Sequence, residues 1–285
     1  MVTPNDSIKH FTNPETHLLS EILYDSISVN SENFNILLKL GAIYVNNERQ
    51  LKDKFIPQNS LFRVHTTPRR FHCNFDWKSL IVFENDFFLV LNKPSGIPSH
   101  PQVDNATENA LTQTGLARGY PLFVTHRLDT LTSGLIVYGK KKSFVTSFNI
   151  LLQNRLVQKH YVALVESQNE FPRNLIHFMD PSSGTPKKLS NSATEGWFIC
   201  ELEIIAQNKK LPNLTWLKLN LLTGRTHQIR AQLSHLKAPI VGDTLYGSTQ
   251  HFTENAIALR SCEIEFTFNN KLMNFNLVEE FTLVN

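Results

Sequence analysis

The apolar positions of the amino-terminal part recur at the spacing of an α-helix in two short stretches between residues 18 and 40. The first stretch carries Leu19, Ile22 and Leu23, and the second carries Phe34 and Leu37. A short apolar run, a turn of two asparagines and a β-type run follow. The pattern predicts a small unit of two helices and several strands over residues 17–70, after a polar start over residues 1–16 that we expect to be flexible.

Beyond residue 75 the pattern changes, because short runs of β-branched and aromatic residues dominate. Two stretches keep helical spacing, residues 143–153 and 226–236, and we expect Thr226 to cap the second helix. Since helices do not alternate regularly with strands, the pattern predicts a mixed α+β domain over residues 75–285 rather than a repeating βαβ fold. The β-type runs occupy residues 81–83, 87–91, 135–138, 161–165, 197–205, 216–222 and 264–268.

Composition narrows the class of protein. With 285 residues, of which 41% are hydrophobic, the chain can fill the core of one large and one small domain. A net charge of +3 permits a polyanionic partner without requiring one. Three widely separated cysteines indicate neither a disulfide framework nor a zinc site. Since the chain shows no targeting peptide and no apolar run of the ~20 residues that a membrane span needs, we expect a cytoplasmic protein without membrane association.

One polar loop between two apolar runs places an acid beside a base. It reads His126-Arg127-Leu128-Asp129, and the run at residues 135–138 follows it. A carboxylate at such a junction can be held rigidly and still face solvent or a ligand. Taken alone, Asp129 is more commonly a turn residue that accepts backbone hydrogen bonds, so the other segments of the chain must decide.

Four segments, in this order, resemble the signature of the RluA-type pseudouridine synthases, which convert uridine in structured RNA into its carbon-linked isomer. Together they cover roughly residues 80–265, and their order makes coincidence implausible. They are Asn92-Lys93-Pro94-Ser95-Gly96, then His126-Arg127-Leu128-Asp129 with Thr132-Ser133-Gly134-Leu135, then Lys159-His160-Tyr161-Val162-Ala163, and finally Gly224-Arg225-Thr226-His227-Gln228-Ile229-Arg230 with Pro239-Ile240-Val241-Gly242-Asp243 and Leu245-Tyr246-Gly247.

The resemblance implies a catalytic domain of the pseudouridine synthase fold, α+β with a mixed, mainly antiparallel sheet. It assigns the nucleophile to Asp129, a charge-pairing role to Arg225, and stacking on the target base to Tyr161. The phenol of Tyr161 could also assist proton removal from C5 of the base. A guanidinium beside the carboxylate would keep it ionised. The reaction is redox-neutral, so no cofactor is expected, and no metal-ligand spacing is present in the sequence.

RNA is the partner that the resemblance implies, because a flipped base must be held in the pocket and its place in the stack refilled. Arg127 is expected to fill the vacated stack. Arg230 is expected either to orient the loop or to contact the RNA backbone. Lys93 is expected to contact RNA, with support of the active-site floor as an equal alternative.

The amino-terminal unit, residues 17–70, resembles the S4-like RNA-binding module more loosely, since the match consists of apolar packing positions and one turn. In that interpretation Lys39 and Arg49 belong to a basic face that binds RNA. The alternative is a structural α+β cap without RNA contact. Residues 66–70 are expected to link it to the large domain.

Two other classes of function compete with an RNA-modifying enzyme. One is an RNA-binding or ribosome-assembly factor that keeps the fold without catalysis, which the presence of Asp129, Arg225 and Tyr161 disfavours. The other is an aspartate-dependent hydrolase, which would need a second carboxylate at the site. Residues 259–261 read Leu-Arg-Ser where the family commonly has Leu-His-Ala, which puts the choice of target in doubt. Ribosomal and transfer RNA both stay open as substrates, and we expect a monomer.

Overall fold

The computed structural model describes residues 7–279 and residue 281, and the chain divides into two compact units. One unit contains the chain up to Phe75 together with His100–Pro121. The other contains Asp76–Ser99 and the chain from Leu122 onward. Residues 100–121, which the sequence pattern assigns to the large domain, therefore group with the amino-terminal unit.

The amino-terminal unit packs two helices on one face of a small sheet with strand order β1-β6-β3-β4. The side chain of Asn30 caps α2 by accepting from the Asn33 backbone N–H at 2.8 Å, and Gly41 ends the helix in a left-handed conformation. Its elements are β1 (Ile8–Thr12), β2 (His17–Leu18), α1 (Leu19–Ile27), α2 (Ser31–Leu40), β3 (Ile43–Val45), β4 (Glu48–Gln50), β5 (Phe55–Ile56), β6 (Leu61–His65) and α3 (Ala110–Arg118).

Two parts of this unit differ from the expectation. Ile8–Thr12, within the start expected to be flexible, forms β1 and pairs antiparallel with β6, while residues 1–6 lie outside the described residues. Its Phe11 stacks on Phe62 with ring centroids 4.7 Å apart, so apolar packing fixes this strand. Residues 66–70, which the sequence predicts to be a linker, are also held in place, because Arg69 forms a bidentate ion pair with Asp104.

The carboxy-terminal unit is built on a single extended sheet with strand order β13-β12-β14-β15-β11-β16-β10-β8-β7, with β17 on β16 and β9 on β10. The β10–β16 pair is parallel and the other pairs are antiparallel, as the mainly antiparallel expectation requires. Its elements are β7 (Ile81–Glu84), β8 (Phe88–Lys93), β9 (Phe123–Val124), β10 (Ser133–Gly139), α4 (Lys142–Gln153), β11 (Gln158–Glu166), β12 (Asn174–Met179), β13 (Leu189–Ser190), β14 (Phe198–Leu211), β15 (Leu214–Leu221), α5 (Gln228–His235), a 3₁₀ turn (Thr244–Tyr246), β16 (Leu259–Phe268) and β17 (Lys271–Asn276).

An aromatic cluster holds α4 against the sheet. Phe144 and Phe148 from the helix contact Phe88 of β8 and Phe266 of β16, and all four side chains are almost fully buried. Because each buried aromatic ring contributes a large apolar area, this cluster anchors the middle of the sheet. Among the described helices, none is long and apolar enough to cross a membrane.

Three neighbouring strands meet at one row of residues close to the loop that carries Asp129. Gly134 of β10 pairs with Ser261 of β16, and Ser261 pairs with Tyr161 of β11. Gly134 has a φ of 107°, and a Cβ built on it would lie 2.2 Å from the carbonyl oxygen of Ser261. Only glycine allows this backbone approach.

Gly134→Ala should therefore destabilise this unit. The loss should be larger than for an alanine replacement at another glycine that has a similar φ but no atom close to the added Cβ. Gly247, with a φ of 97° and no atom within 4 Å of its built Cβ, is the matched control in the same unit. The control should cost about 1–2 kcal/mol, the usual penalty for this conformation. Gly134→Ala should cost roughly 1–3 kcal/mol more because of the clash. Urea unfolding of both variants measures the difference, and equal losses would contradict the close approach.

Candidate active site

The loop between β9 and β10 carries Asp129 and is held by the segment that follows β8. Ser99 donates its hydroxyl to the Leu128 carbonyl at 2.6 Å and accepts from the Leu128 N–H at 3.0 Å. The ammonium of Lys93 donates to the Thr130 carbonyl at 3.3 Å. Asp129 thus has a tethered residue on each side, which limits where its carboxylate can go.

His126 also fixes this loop. Its Nε2 accepts a hydrogen bond from the Val137 N–H at 3.1 Å, so this nitrogen must be unprotonated. Burial, together with the positive charge of Lys159, lowers the pKa of His126 to about 3. The imidazole therefore stays neutral at physiological pH and orders the loop rather than transferring protons.

A single arginine connects two carboxylates at the centre of the site. Arg230, in the first turn of α5, donates from Nε and Nη2 to both oxygens of Asp243, at 2.7 and 2.9 Å. Its Nη1 lies 3.3 Å from Oδ2 of Asp129. The side chains of Arg230 and Asp243 are 4% and 1% exposed, whereas that of Asp129 is 24% exposed. Asp243 fixes the guanidinium, and the carboxylate of Asp129 remains partly exposed to solvent.

The prediction that Arg225 pairs with Asp129 is wrong. Arg225 is exposed, and its guanidinium lies 4.6 Å from the ring centroid of Phe198. The two arginines stand on either side of His227, which has a left-handed conformation with a φ of 57° and occupies the N-cap position of α5 instead of the predicted Thr226. Arg230, in the first helical turn, is buried, whereas Arg225, before this residue, is exposed.

Tyr246 and His227 complete the wall around Arg230. The guanidinium lies 4.9 Å from the ring centroid of Tyr246, whose hydroxyl contacts Nδ1 of His227 at 3.1 Å. Nε2 of His227 lies 3.9 Å from Asp129. The sequence pattern assigns no role to Asp243 or Tyr246. Both lie in the last family-like segment, which is the signal in the sequence that points to them.

Tyr161 is buried on β11, in the row shared with Ser261 and Gly134. Burial, and to a smaller extent the charge of Asp129, raises the pKa of the Tyr161 phenol. At neutral pH the ring therefore presents a protonated hydroxyl, which can donate a hydrogen bond or support a flat ligand. It is poorly suited to act as a base.

The residues predicted to bind RNA fall into two groups. Arg127 and Lys39 are exposed. Lys93 and Arg230 are buried, so they are not RNA contacts: the ammonium of Lys93 is enclosed by carbonyls and the guanidinium of Arg230 by carboxylates. Arg49 is half-buried within its own unit, where it donates to the carbonyls of Gly41 and Gln102 at 2.7 and 2.8 Å.

Burial of Lys93 is complete, and it lowers the pKa of the ammonium to about 7. The nearby charge of Asp129 opposes this shift. Three carbonyls, those of Pro94, Ile97 and Thr130, surround Nζ at 2.9, 2.7 and 3.3 Å. Of the two roles considered for Lys93, support of the active-site floor is the one that this geometry favours.

Within residues 7–279 and 281 there is no group of three or more His, Cys, Asp or Glu side chains arranged to hold a metal ion.

Comparison with known proteins agrees with the resemblance noted in the sequence. The family model described as RNA pseudouridylate synthase matches residues 87–235. A protein named RNA pseudouridine synthase 6, chloroplastic, from Oryza sativa is 35% identical over 65% of this chain, which spans 43% of that protein's length. An uncharacterised RNA pseudouridine synthase from Mycoplasma pneumoniae is 32% identical over 71% of this chain and 72% of its own.

Among solved structures, human RNA Pseudouridylate Synthase Domain Containing 1 is similar with a TM-score of 0.56 and 21% identity. The similarity covers 72% of this chain and 89% of the human one, and it concerns the fold.

The ion-pair geometry predicts that replacing Arg230 destabilises the protein much more than replacing Arg225. Arg230→Met should lower the free energy of unfolding by about 3–5 kcal/mol, because it leaves the carboxylate of Asp243 buried without a partner. Arg225→Met, at an exposed position, should change it by no more than about 0.5 kcal/mol. Denaturant titration of both variants measures this difference. A larger loss in the Arg225 variant would argue against the pairing described above.

Lys93 should make the stability of the protein depend on pH. Its folded-state pKa of about 7 lies below the ordinary value of 10.5, so above pH 7 the unfolded chain binds more protons than the folded one. The free energy of unfolding should then rise with pH, by at most about 1.4 kcal/mol per unit, and the penalty returns as pH falls towards 7. Denaturant unfolding at several pH values between about pH 7 and pH 8.5 measures this slope. Below about pH 8.5 the cysteine thiols of the unfolded chain stay mostly protonated, so they contribute little to it. Lys93→Met should lose it, and an equal slope in both proteins would refute the assignment.

Proposed function

The chain belongs to the RNA pseudouridylate synthase family, and from this premise we propose that it isomerises uridine in structured RNA to pseudouridine with Asp129 as the nucleophile. The observation that carries the proposal is the arrangement around that carboxylate. Asp129 is partly exposed, while the arginine beside it is buried and fixed by Asp243. A carboxylate held in this way is oriented and kept ionised, yet can reach a bound nucleotide.

The proposed reaction conserves atoms and electrons. The bond between C1′ of the ribose and N1 of the uracil breaks, the uracil turns over while it is held, and a bond forms between C1′ and C5. The proton on C5 leaves and N1 gains one. Asp129 can add either to the sugar or to the base ring, and both routes remain open.

Tyr161 is proposed to hold the uracil by stacking. The ring is buried at one end of the row that includes Gly134, and the phenol remains protonated because burial raises its pKa. This state supports a role in holding and turning the base, whereas proton removal from C5 would require a phenolate. Asp129, once released, is the better proton acceptor in the same site.

RNA must give up one stacked base to this pocket. Arg127 is exposed and two residues from Asp129, so it is suited to fill the vacated position. The amino-terminal unit is proposed to contribute a further contact as an S4-like module, with Lys39 exposed on the last turn of α2. Ribosomal and transfer RNA are both retained as substrates, with a cytoplasmic monomer as the working form.

The rival function, RNA binding without catalysis, leaves the same fold and the same exposed cations. The intact set of Asp129, Arg230 and Tyr161 favours catalysis, because a site without chemistry has no need of a partly exposed carboxylate beside a buried ion pair. Pseudouridine maps of total RNA from cells with and without this gene would identify the RNA and the position together.

Asp129→Asn should abolish isomerisation while changing RNA affinity little, since the amide keeps the shape but is not an anionic nucleophile. Tritium release from RNA labelled at C5 of uridine measures turnover, and filter binding of the same RNA measures affinity. Asp86→Asn, at an exposed turn, is the matched control and should behave as the parent. Turnover in the Asp129 variant would remove Asp129 from the mechanism. Binding without turnover in the parent would favour the rival.

A further inference from the structure

Lys159 lies in the candidate active site without an assigned role. It precedes Tyr161 by two residues on β11, so both side chains project from the same face of the sheet. Its ammonium lies beside Gly224, since a Cβ built on that glycine would be 3.5 Å from Nζ. The side chain of Lys159 therefore reaches from β11 to the turn that leads into α5.

In the part of the chain that the structure describes, no acidic side chain pairs with the ammonium of Lys159. Among the described residues, Lys159 forms no side-chain hydrogen bond and no ion pair, although its side chain is half-buried and burial lowers its pKa. The positive charge of Lys159 lowers the pKa of His126, and that imidazole is neutral because its Nε2 accepts from the Val137 N–H, so it provides no counter-charge. By contrast, Arg230 is paired with Asp243, and Lys93 with three carbonyls.

Gly224 leaves space beside the ammonium of Lys159. The residue is exposed and its φ lies outside the left-handed region, so its backbone does not require glycine. What the absent side chain provides is space in front of Nζ, as glycine commonly does where a ligand approaches a backbone closely. A partly desolvated cation facing an open approach is expected to receive its anion from the ligand.

We propose that Lys159 binds a phosphate oxygen of the RNA backbone next to the target uridine, and that Gly224 makes room for the sugar–phosphate chain. This inference rests on the proposed function, because it assumes that RNA is the substrate. It adds a contact that positions the target nucleotide over Tyr161 by its backbone, independently of the base.

The test compares Lys159→Met with Lys159→Arg, both built on the Asp129→Asn variant so that turnover plays no part. The probe is a synthetic RNA hairpin with one uridine in its loop, bound at several salt concentrations. Loss of one phosphate contact should lower the slope of log affinity against log salt by roughly 0.7–0.9, so that a fourfold rise in salt weakens binding roughly threefold less than in the parent. The arginine variant should keep most of the slope.

Lys209→Met is the matched control. Lys209 is exposed on β14 and pairs with Thr215 of β15, which in turn pairs with Val165, roughly 20 Å along β11 from Lys159. This variant should bind with the parent's slope. In thermal unfolding without RNA, Lys159→Met should be at least as stable as the parent, because it removes a desolvated charge. A merely structural lysine would instead show a lower melting temperature with an unchanged salt slope, and that result would overturn the proposal.

Two further probes identify the phosphate. A hairpin with a neutral methylphosphonate at the contacted position should bind the parent more weakly, while the affinity of the Lys159→Met variant should not fall further. Gly224→Ala, which keeps the charge but narrows the approach, should weaken binding of the unmodified hairpin. If weaker binding of Lys159→Met came with an unchanged salt slope and no methylphosphonate dependence, the lysine would contact the base and the proposal would be wrong. None of these outcomes bears on turnover by Asp129, so failure here and failure of the proposed function are distinguishable.

Discussion

The candidate site depends on the ion pair between Arg230 and Asp243. Both side chains are almost fully removed from water, so removing either one would leave the other charge buried without its partner. The bidentate geometry leaves one guanidinium nitrogen directed at Asp129. The carboxylate of Asp129 therefore lies against a guanidinium that two hydrogen bonds to Asp243 hold in place. Catalytic orientation and folding stability thus share one interaction, and a change to it affects both.

Hydrogen bonds supply the same rigidity on the backbone side. Ser99 binds both the N–H and the carbonyl of Leu128, and Lys93 reaches the carbonyl of Thr130. Gly134 then lets β10 approach β16 closely enough to bring the loop beside Tyr161. The family-like segments, which are far apart in the sequence, therefore contact one another in the folded protein. This explains how a segment without a reactive group, such as the one around Lys93, serves the site.

The cations of the site differ in what neutralises them, and this separates their functions. Arg230 and Lys93 have protein partners and so act within the fold. Arg127 and Arg225 are exposed, and Lys159 is half-buried without a partner among the described residues. Residue type alone makes these five positions look alike. Burial and hydrogen-bond partners divide them into two sets: those that hold the loop of Asp129 in place and those that are available to bind RNA.

The sequence by itself determined the family, the mainly antiparallel α+β fold and the position of Asp129 in a loop. Motifs and hydrophobic periodicity depend on residues that are close together in the sequence, so they can be recognised without a structure. The family model confirms the family and the sheet pairing confirms the fold. Only the tertiary structure decided between Arg225 and Arg230, since it buries Arg230 beside Asp243 and leaves Arg225 exposed. It also decided that Lys93 is enclosed and that residues 100–121 belong with the amino-terminal unit. Burial and the pairing of distant charges arise when remote segments pack together, and no local pattern encodes them.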